Sequence, residues 1–262
     1  MTTPTVSRIF VYPIKSLGRT DVTAGSIVPG GGLAHDREFA LFDPAGAVIN
    51  AKRHPRIHHI HANYDLAAFT LALDNKTFHL VDDHASLERW FSGYFGFPVT
   101  LKRDTAMGFP DDPDSPGPTI LSVASLAEVN GWFPDLDREQ VGRRFRANIE
   151  IGGVPAFWED RLFGEPDEVV DFSIGEVRFQ GINPCARCPV PSRHPDTAEV
   201  MPEFQKIFSA KREAMLPSWA APGRFDHFYR LSVNTRVPAS EAGKILRVGD
   251  EVRGVPYITP SL

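Results

Sequence analysis

Proline and glycine set the tightest limit on this fold, because they recur along the whole chain rather than in one tract. The 262 residues include 23 prolines and 21 glycines. Proline removes a backbone donor and glycine adopts turn conformations freely, so both interrupt regular structure. The pattern predicts many short elements joined by turns. It does not predict disorder, because 42% of the residues are hydrophobic and can fill a core.

Most of these short elements have the composition of strands. β-Branched and aromatic residues between turn signals predict strands over 7–14, 38–43, 47–50, 69–73, 77–80, 144–151 and 176–180. Two neighbouring pairs are spaced as hairpins, 38–43 with 47–50 and 69–73 with 77–80. Apolar residues at helical spacing predict helices over 85–94, 125–130 and 202–215, the second capped by Ser122 or Ser125. Residues 246–252 predict a closing strand–turn–strand. The fold class is therefore mostly β with a few helices, and a β-barrel is expected.

The strongest break in the chain is the segment 108–118, which contains four prolines. Regular structure cannot run through it. We therefore predict either a long functional loop or a domain boundary there. The division that follows gives a first domain over 1–110 and a second over 111–262.

Composition excludes several classes of function. The formal net charge is −5, which argues against a general nucleic-acid binder. Two cysteines are too few for a disulfide framework, so a reducing cytoplasm is expected. No apolar run approaches the roughly 18 residues that cross a bilayer, so no membrane contact is expected. The segment Met1–Pro4 lacks the basic and apolar regions of a signal peptide.

The two cysteines lie three residues apart in the segment Pro184–Pro189, with Arg187 between them. Three chemical interpretations are open: a redox dithiol, half of a zinc site, or a thiolate that binds a metal cofactor. Zinc needs further ligands at regular spacing, and His194 and His227 are isolated. A thioredoxin-like dithiol needs a strand–helix unit, which the surrounding prolines disfavour. Two buried, inert cysteines are the structural alternative. Arg187 favours chemistry, because a guanidinium stabilises a thiolate and binds anionic oxygens.

Two other groups of residues are candidates for a site. Cations follow strand ends or turns at Lys15, Arg37 and Arg146. They would bind an anion if the fold brings them together, and would otherwise be solvated surface charge. The histidine-rich stretch 54–61 has no acidic or cysteine residue near it, so we interpret it as a half-exposed strand rather than a metal site.

These segments, in their order along the chain, resemble one known family. The segments that carry the resemblance are Val11–Ser16, His35–Phe39, Ile120–Ser122, Arg144–Ile149, Pro184–Cys188, Pro195–Thr197 and Val248–Val252. Each alone is short, and the ordered set is specific. It is similar to MOSC-domain proteins, and within them to the subgroup that includes the mitochondrial amidoxime-reducing component and its bacterial relatives. The resemblance implies a MOSC β-barrel preceded by a smaller N-terminal β-barrel domain.

The resemblance also implies a cofactor, the molybdenum cofactor, in which a pterin dithiolene holds molybdenum. It implies that Cys188 supplies a thiolate to molybdenum, with Ala186 and Arg187 beside the metal and Arg187 stabilising the thiolate; Cys188 and Arg187 are thus the expected catalytic residues. It further implies cofactor contacts from Lys15, Ser16, Arg37, Ser115, Arg146, Asn148 and Phe228. The residue types fit, because a soft thiolate suits molybdenum–sulfur chemistry and cations suit a phosphate.

The implied activity is that of a molybdenum-dependent oxidoreductase. Its substrates would be N-hydroxylated compounds such as amidoximes, hydroxylamines and N-hydroxylated bases. Some bacterial relatives carry an iron–sulfur domain with four more cysteines, and none follows Cys188 here. We therefore expect electrons from a separate reductase or ferredoxin-like protein. Two alternatives stay open: a carrier that binds and hands over the cofactor or its sulfur, and a MOSC fold that has lost the cofactor.

Overall fold

The structure is a computed structural model, and it describes residues 3–255. Within that range the chain forms fifteen strands and four α-helices. The strands are β1 (Thr5–Val11), β2 (Thr20–Val22), β3 (Ala24–Ser26), β4 (Phe39–Phe42), β5 (Ala62–Asp65), β6 (Thr70–Leu73), β7 (Lys76–His79), β8 (Thr100–Arg103), β9 (Ile120–Ser122), β10 (Ile149–Gly152), β11 (Val170–Ile174), β12 (Val177–Ala186), β13 (Arg230–Arg236), β14 (Ile245–Arg247) and β15 (Val252–Arg253). The helices are α1 (His84–Phe95), α2 (Val123–Gly131), α3 (Arg138–Phe145) and α4 (Phe204–Ala214). The expectation of a mostly β fold with a few helices is confirmed.

The largest sheet has eight strands in the order β15-β11-β12-β13-β9-β10-β1-β2. Its ladders are antiparallel except for the parallel pair of β9 and β10. Within residues 3–255 no ladder pairs β15 with β2, the two ends of this order, so the sheet is open and does not form a closed barrel. An antiparallel bridge between Thr5 and Glu251 links β1 to the segment before β15, and backbone hydrogen bonds such as Val6 N–H to the Asp250 carbonyl at 2.9 Å accompany it. Alternating apolar residues of these strands, among them Ile9, Val11 and Val233, form the first core cluster.

A second core lies in the first hundred residues. The hairpin of β6 and β7 is confirmed, and β5 extends it to three strands. The helix α1 is also confirmed, because Leu87, Phe91 and Phe95 recur four residues apart and bury one face. The predicted contact of 38–43 with 47–50 is present as an antiparallel bridge between Phe42 and Val48, with backbone hydrogen bonds from Asp43 N–H to the Ala47 carbonyl at 2.9 Å and from Ile49 N–H to the Leu41 carbonyl at 2.8 Å. The longer ladder of β4 is with β8, which the sequence did not predict.

The two predicted halves of the chain share strands. β1 and β2, from the first 22 residues, belong to the eight-stranded sheet, and β3 pairs with β14. The division at residue 110 stays a prediction. Because β1 pairs with β10, the N-terminal segment that follows β1 lies close to strands from the second half of the chain.

Two predicted strands are corrected. The strand expected over 144–151 is instead the end of α3, a turn at Arg146 with φ of 54°, and then β10. A capping box of Asp137 and Gln140 starts that helix, and its reciprocal hydrogen bonds satisfy free backbone N–H groups at the helix start. The strand expected near His59 is a 3-10 helix over Pro55–His59, because the chain turns directly after Pro55.

A third core cluster joins the remaining helices. The Ser122 hydroxyl accepts from the Ser125 backbone N–H, so Ser122 is the N-cap of α2 as predicted. The helix α4 is confirmed, and its Phe204 and Phe208 pack against Phe145 at the end of α3. This packing fixes α3 beside the cysteine segment. The closing strand–turn–strand is confirmed as β14 and β15.

Candidate functional site

One cavity of about 1200 Å³ collects most of the residues that the sequence singled out. It is bounded by segments from both halves of the chain. The predicted site residues that line it are Ser16, Arg37, Ser115, Arg146, Asn148, Ala186, Arg187 and Cys188. Lys15 lies at its edge, where its ammonium reaches the cavity-lining Pro110 and Asp111. Phe228 is not among the lining residues.

The two cysteines occupy different environments. Cys185 lies near the end of β12 and is 8% exposed, and its thiol donates to Oδ1 of Asn234 on β13. Cys188 lies beyond the end of β12, is exposed and lines the cavity. No group of three or more His, Cys, Asp or Glu residues within 3–255 is arranged to hold a metal ion. The segment continues into a 3-10 turn over Val190–Ser192 rather than an α-helix. Both cysteines line the cavity, but the Cys185 thiol is nearly buried and bonded to Asn234, so Cys188 is the more accessible of the two to a ligand.

The Arg187 guanidinium makes hydrogen bonds to other parts of the protein that the sequence did not predict. Its Nε donates to the Leu231 carbonyl at 3.0 Å, and its Nη1 donates to the Phe145 carbonyl at 2.9 Å. Its Nη2 donates to the Ser232 hydroxyl. All three guanidinium nitrogens thus have protein acceptors. Arg187 ties the cysteine segment to β13 and to the end of α3, and in this way it fixes where Cys188 lies.

Lys15, Arg37 and Arg146 form a group that we name the cation grip. Each follows or precedes a short element: Lys15 comes after β1, Arg37 before β4, and Arg146 after α3. The Arg146 guanidinium carbon lies 4.0 Å from the Tyr12 ring centroid and that of Arg37 lies 5.2 Å from it, both within cation–π range. Desolvation lowers the pKa of Arg146. The fold therefore brings together the cations that the sequence left scattered.

Backbone strain coincides with this grip. Ser16, Arg37 and Arg146 have φ values of 74°, 51° and 54°, in the left-handed region that non-glycine residues rarely adopt. Such residues cost about 1 kcal/mol or more each and tend to cluster at functional sites. The surrounding contacts maintain the strain. Arg146 Nη1 donates to the Leu17 carbonyl at 2.8 Å, and the Arg37 backbone N–H donates to the Tyr12 carbonyl at 2.8 Å.

Asn148 lines the cavity, but its side-chain hydrogen bonds go to neighbouring protein groups. Its side chain is almost fully buried and its Nδ2 donates to the Phe10 carbonyl at 3.1 Å. Its Oδ1 accepts from the Thr119 hydroxyl at 3.2 Å and from Arg37 Nη1 at 3.5 Å. Asn148 therefore connects β1 and the start of β10 to the cation grip.

The end of α3 joins the cysteine segment to the cation grip. Arg144 is buried, and its Nη1 donates to the carbonyls of Pro191 at 2.8 Å and Arg193 at 2.6 Å. Arg143 forms a two-bonded ion pair with Asp196 in the same loop. Since Arg146 follows directly, one helix end holds both the loop after Cys188 and one cation of the grip.

One predicted site residue, Phe228, lies outside the cavity lining, and the residue after it is buried. The Phe228 ring stacks on Phe225, with centroids 5.7 Å apart, instead of facing the cavity. The next residue, Tyr229, is 1% exposed, and its hydroxyl has no hydrogen-bond partner within residues 3–255. Burial raises the pKa of Tyr229; the nearby Arg187 charge works against this rise, and Cys188 adds to it. Strand alternation into β13 was the signal that could have indicated that Tyr229, rather than Phe228, is the buried residue.

The histidine stretch contributes to the rim rather than to a metal site. His58 lines the cavity, with its Nδ1 3.3 Å from the Pro195 carbonyl, and His61 lines it too. Burial lowers the pKa of His58, and the nearby Arg146 and Arg193 lower it further.

None of the helices within 3–255 has the length and apolar character needed to cross a membrane.

Comparisons with known proteins agree on one family. A family profile described as "MOSC N-terminal beta barrel domain" matches residues 3–88, and one described as "MOSC domain" matches residues 118–253. Molybdenum cofactor sulfurase of Danio rerio is 26% identical over 236 residues, which cover 70% of this chain and 27% of that protein. The human sulfurase is 24% identical, again over 70% of this chain and 26% of its own length.

A shorter relative matches over more of its own length. Mitochondrial amidoxime reducing component 2 of Rattus norvegicus is 26% identical over 243 residues, 74% of this chain and 68% of that protein. The chain thus spans only about a quarter of the sulfurases that it resembles. It spans about two thirds of the amidoxime-related protein.

Proposed function

The chain belongs to the MOSC-domain family, and from that premise we propose that it is a molybdenum-cofactor-dependent oxidoreductase that reduces N-hydroxylated compounds. The observation that carries the proposal is one cavity with an exposed thiol and a cation group at its walls. Cys188 provides the thiol, and Arg37 and Arg146 provide cations. The family's relation to molybdenum cofactor proteins, by the names of its members, supports the choice of cofactor.

The residues present fit this cofactor. Cys188 offers a soft ligand, which suits molybdenum. Within residues 3–255 only Nη1 of the Arg146 guanidinium has a hydrogen-bond acceptor, so its Nε and Nη2 can donate to a phosphate. Arg37 likewise keeps its Nη2 without an acceptor in the described chain. Ser16 and Ser115 add hydroxyls at the same cavity.

In this proposal the protein binds and orients, and the bound cofactor supplies two-electron oxygen-atom chemistry. Cys188 gives the thiolate, Arg187 fixes its segment, and Arg146 holds the phosphate. Reducing an N–OH group to N–H consumes two electrons and two protons and releases water. The electrons for reducing the N-hydroxylated substrate would come from a separate reductase or ferredoxin-like protein.

The test is metal analysis and turnover on one preparation. The protein is produced in a host that makes the molybdenum cofactor, and molybdenum is measured per chain. Benzamidoxime is then supplied with a reduced viologen dye, which replaces the physiological donor. We expect molybdenum near one per chain and formation of benzamidine. Metal-free wild-type protein would contradict the proposal.

The sulfurase relatives favour a second candidate, a protein that binds and hands over the cofactor or its sulfur. The same thiol and cations would serve it. The turnover assay separates the two, because molybdenum-loaded protein that never reduces benzamidoxime, yet releases cofactor to an acceptor enzyme, would be a carrier.

A further inference from the structure

The proline-rich segment 108–118 runs along the cation grip, and we name it the strap. Its start is fixed against the backbone of Arg37: the Phe109 N–H donates to the Arg37 carbonyl at 2.8 Å. Gly108 makes this approach possible, because a Cβ there would lie 2.9 Å from that carbonyl and its φ is +70°. The lining of the cavity includes Pro110, Asp111 and Asp112 of the strap. The segment that the sequence marked as a break is thus part of the cavity wall.

Lys15 has no hydrogen-bond donor left for a ligand. Its ammonium donates to the carbonyls of Phe109 and Pro110, each at 2.9 Å. The Asp111 carboxylate takes the third position, with Oδ1 2.9 Å from Nζ. An ammonium has three donors, so Lys15 is saturated by the strap. A phosphate can bind Lys15 only if one of these acceptors leaves.

Asp111 is the acceptor most easily released. Its side chain is 76% exposed, so water can solvate the freed carboxylate, whereas the two carbonyls belong to the fixed backbone. Its other oxygen lies 3.9 Å from Arg37 Nε, which places the carboxylate between two members of the grip. Desolvation opposes ionisation, but the charges of Arg37, Lys15 and Arg146 prevail and lower the pKa of Asp111 to about 2. The carboxylate is therefore anionic at every physiological pH.

We propose that Asp111 is an exchangeable internal anion that competes with the phosphate of the bound ligand for Lys15 and Arg37. The proposal rests on the proposed function, because it takes the grip as the phosphate site. A phosphate monoester carries about −1.5 to −2 charge near neutral pH and three acceptor oxygens, so it displaces a single carboxylate. The displaced Asp111 turns to solvent while Lys15 stays bonded to the strap carbonyls. The strap then discriminates in favour of doubly charged anions.

The experiment measures binding of inorganic phosphate to the full chain, produced in a host without molybdenum cofactor synthesis, by phosphorus NMR titration at low salt. Asp111→Asn removes the competing charge. Asp112→Asn is the matched control, since it removes one charge from the same strap, and Asp112 has no ion pair with the grip in the described chain. We expect Asp111→Asn to bind phosphate about fivefold more tightly, the factor that corresponds to no longer having to break one solvent-exposed ion pair, that of Asp111 with Lys15. Asp112→Asn should stay within twofold.

Equal affinity of wild type and Asp111→Asn would overturn the proposal, as would an equal gain in both variants. Arg146→Gln locates the phosphate: it must weaken binding in the Asp111→Asn background, and unchanged binding would place the phosphate elsewhere and overturn the proposal too. The proposed function is judged separately, by molybdenum content of wild type. Molybdenum-loaded wild type with no effect of Asp111→Asn would leave the function standing and remove the competition.

Discussion

Two groups of arginines and carboxylates in this molecule differ in how much solvent they meet. The first is the cation grip with Asp111, at a cavity wall, where Asp111 is 76% exposed. The second, which we name the buried ion group, contains Glu159, Asp160 and Arg212, each at most 2% exposed. Both groups pair opposite charges. Only the first leaves donors facing a cavity, so a ligand can reach its charges while those of the second are sealed.

The buried ion group joins three elements. Arg212 on α4 pairs with Asp160, in the 3-10 helix Trp158–Leu162. Glu159 Oε2 accepts from the Ser125 hydroxyl at 2.9 Å and from the Ser122 N–H at 3.2 Å, at the start of α2. Burial and the neighbouring Asp160 raise the pKa of Glu159. These contacts hold the helices that position α3, so this group acts on stability and only indirectly on the cavity.

The two groups should therefore differ in two measurable properties, the stability of the fold and the retention of the cofactor. Changes in the buried ion group should alter the free energy of unfolding and leave cofactor retention per folded chain intact. Changes in the cation grip should do the reverse.

The largest expected effect is on stability. Arg212→Met leaves Asp160 buried without its cation, and breaking a buried pair in this way costs about 3–5 kcal/mol. Urea unfolding measures the loss. Lys211→Met is the control, because Lys211 is the exposed neighbour on the same helix and should change stability by no more than about 0.5 kcal/mol. An equally stable Arg212→Met would show that the buried ion group does not stabilise the fold.

The next effect is on retention. Arg146→Gln removes a charge-assisted contact to phosphate, worth about 1.5–3 kcal/mol or a ten- to hundredfold loss of affinity. Molybdenum per folded chain after dialysis should fall sharply, while the free energy of unfolding in urea should fall by less than in Arg212→Met, because only the contacts of Arg146 with Leu17 and Tyr12 are lost. Arg53→Gln removes the same charge from an exposed ion pair outside the cavity lining and should keep its molybdenum. Equal molybdenum in both variants would remove the grip from cofactor binding.

The smallest effect is a pH dependence. Because the folded-state pKa of Glu159 is raised, its contribution to stability is present at low pH and is lost as pH rises toward neutral. Glu159→Gln should therefore gain stability relative to wild type by about 1–2 kcal/mol between pH 5 and 8. Exposed Glu213→Gln should show no such trend. Parallel pH curves for wild type and Glu159→Gln would contradict the assignment.

Local signals in the sequence predicted local structure well. The apolar spacing of α1, the hairpin of β6 with β7 and the Ser122 cap all follow from contacts within a few residues. The turn at Arg146 was missed because β-like residues follow it, although the capping box of Asp137 and Gln140 marked the helix before it. Resemblance, rather than pattern, singled out Cys188 over Cys185.

What sequence could not give was the partner of each charge. Nothing local indicates that Arg187 donates to carbonyls from β13 and α3, or that Lys15 is saturated by residues 94 to 96 positions away. These contacts depend on strands and loops brought together by the sheet. The position of Phe228 outside the cavity lining has the same origin, because it depends on the packing of its ring against Phe225, which no local pattern indicates.

The most direct test of Cys188 as the molybdenum ligand compares wild type with two variants, each of which lacks one sulfur atom. Wild type, Cys185→Ser and Cys188→Ser are produced in the same cofactor-competent host, and molybdenum and pterin are measured per folded chain. We expect molybdenum near one per chain in wild type, largely kept in Cys185→Ser and lost in Cys188→Ser. Molybdenum retained at the wild-type level in Cys188→Ser would contradict this expectation.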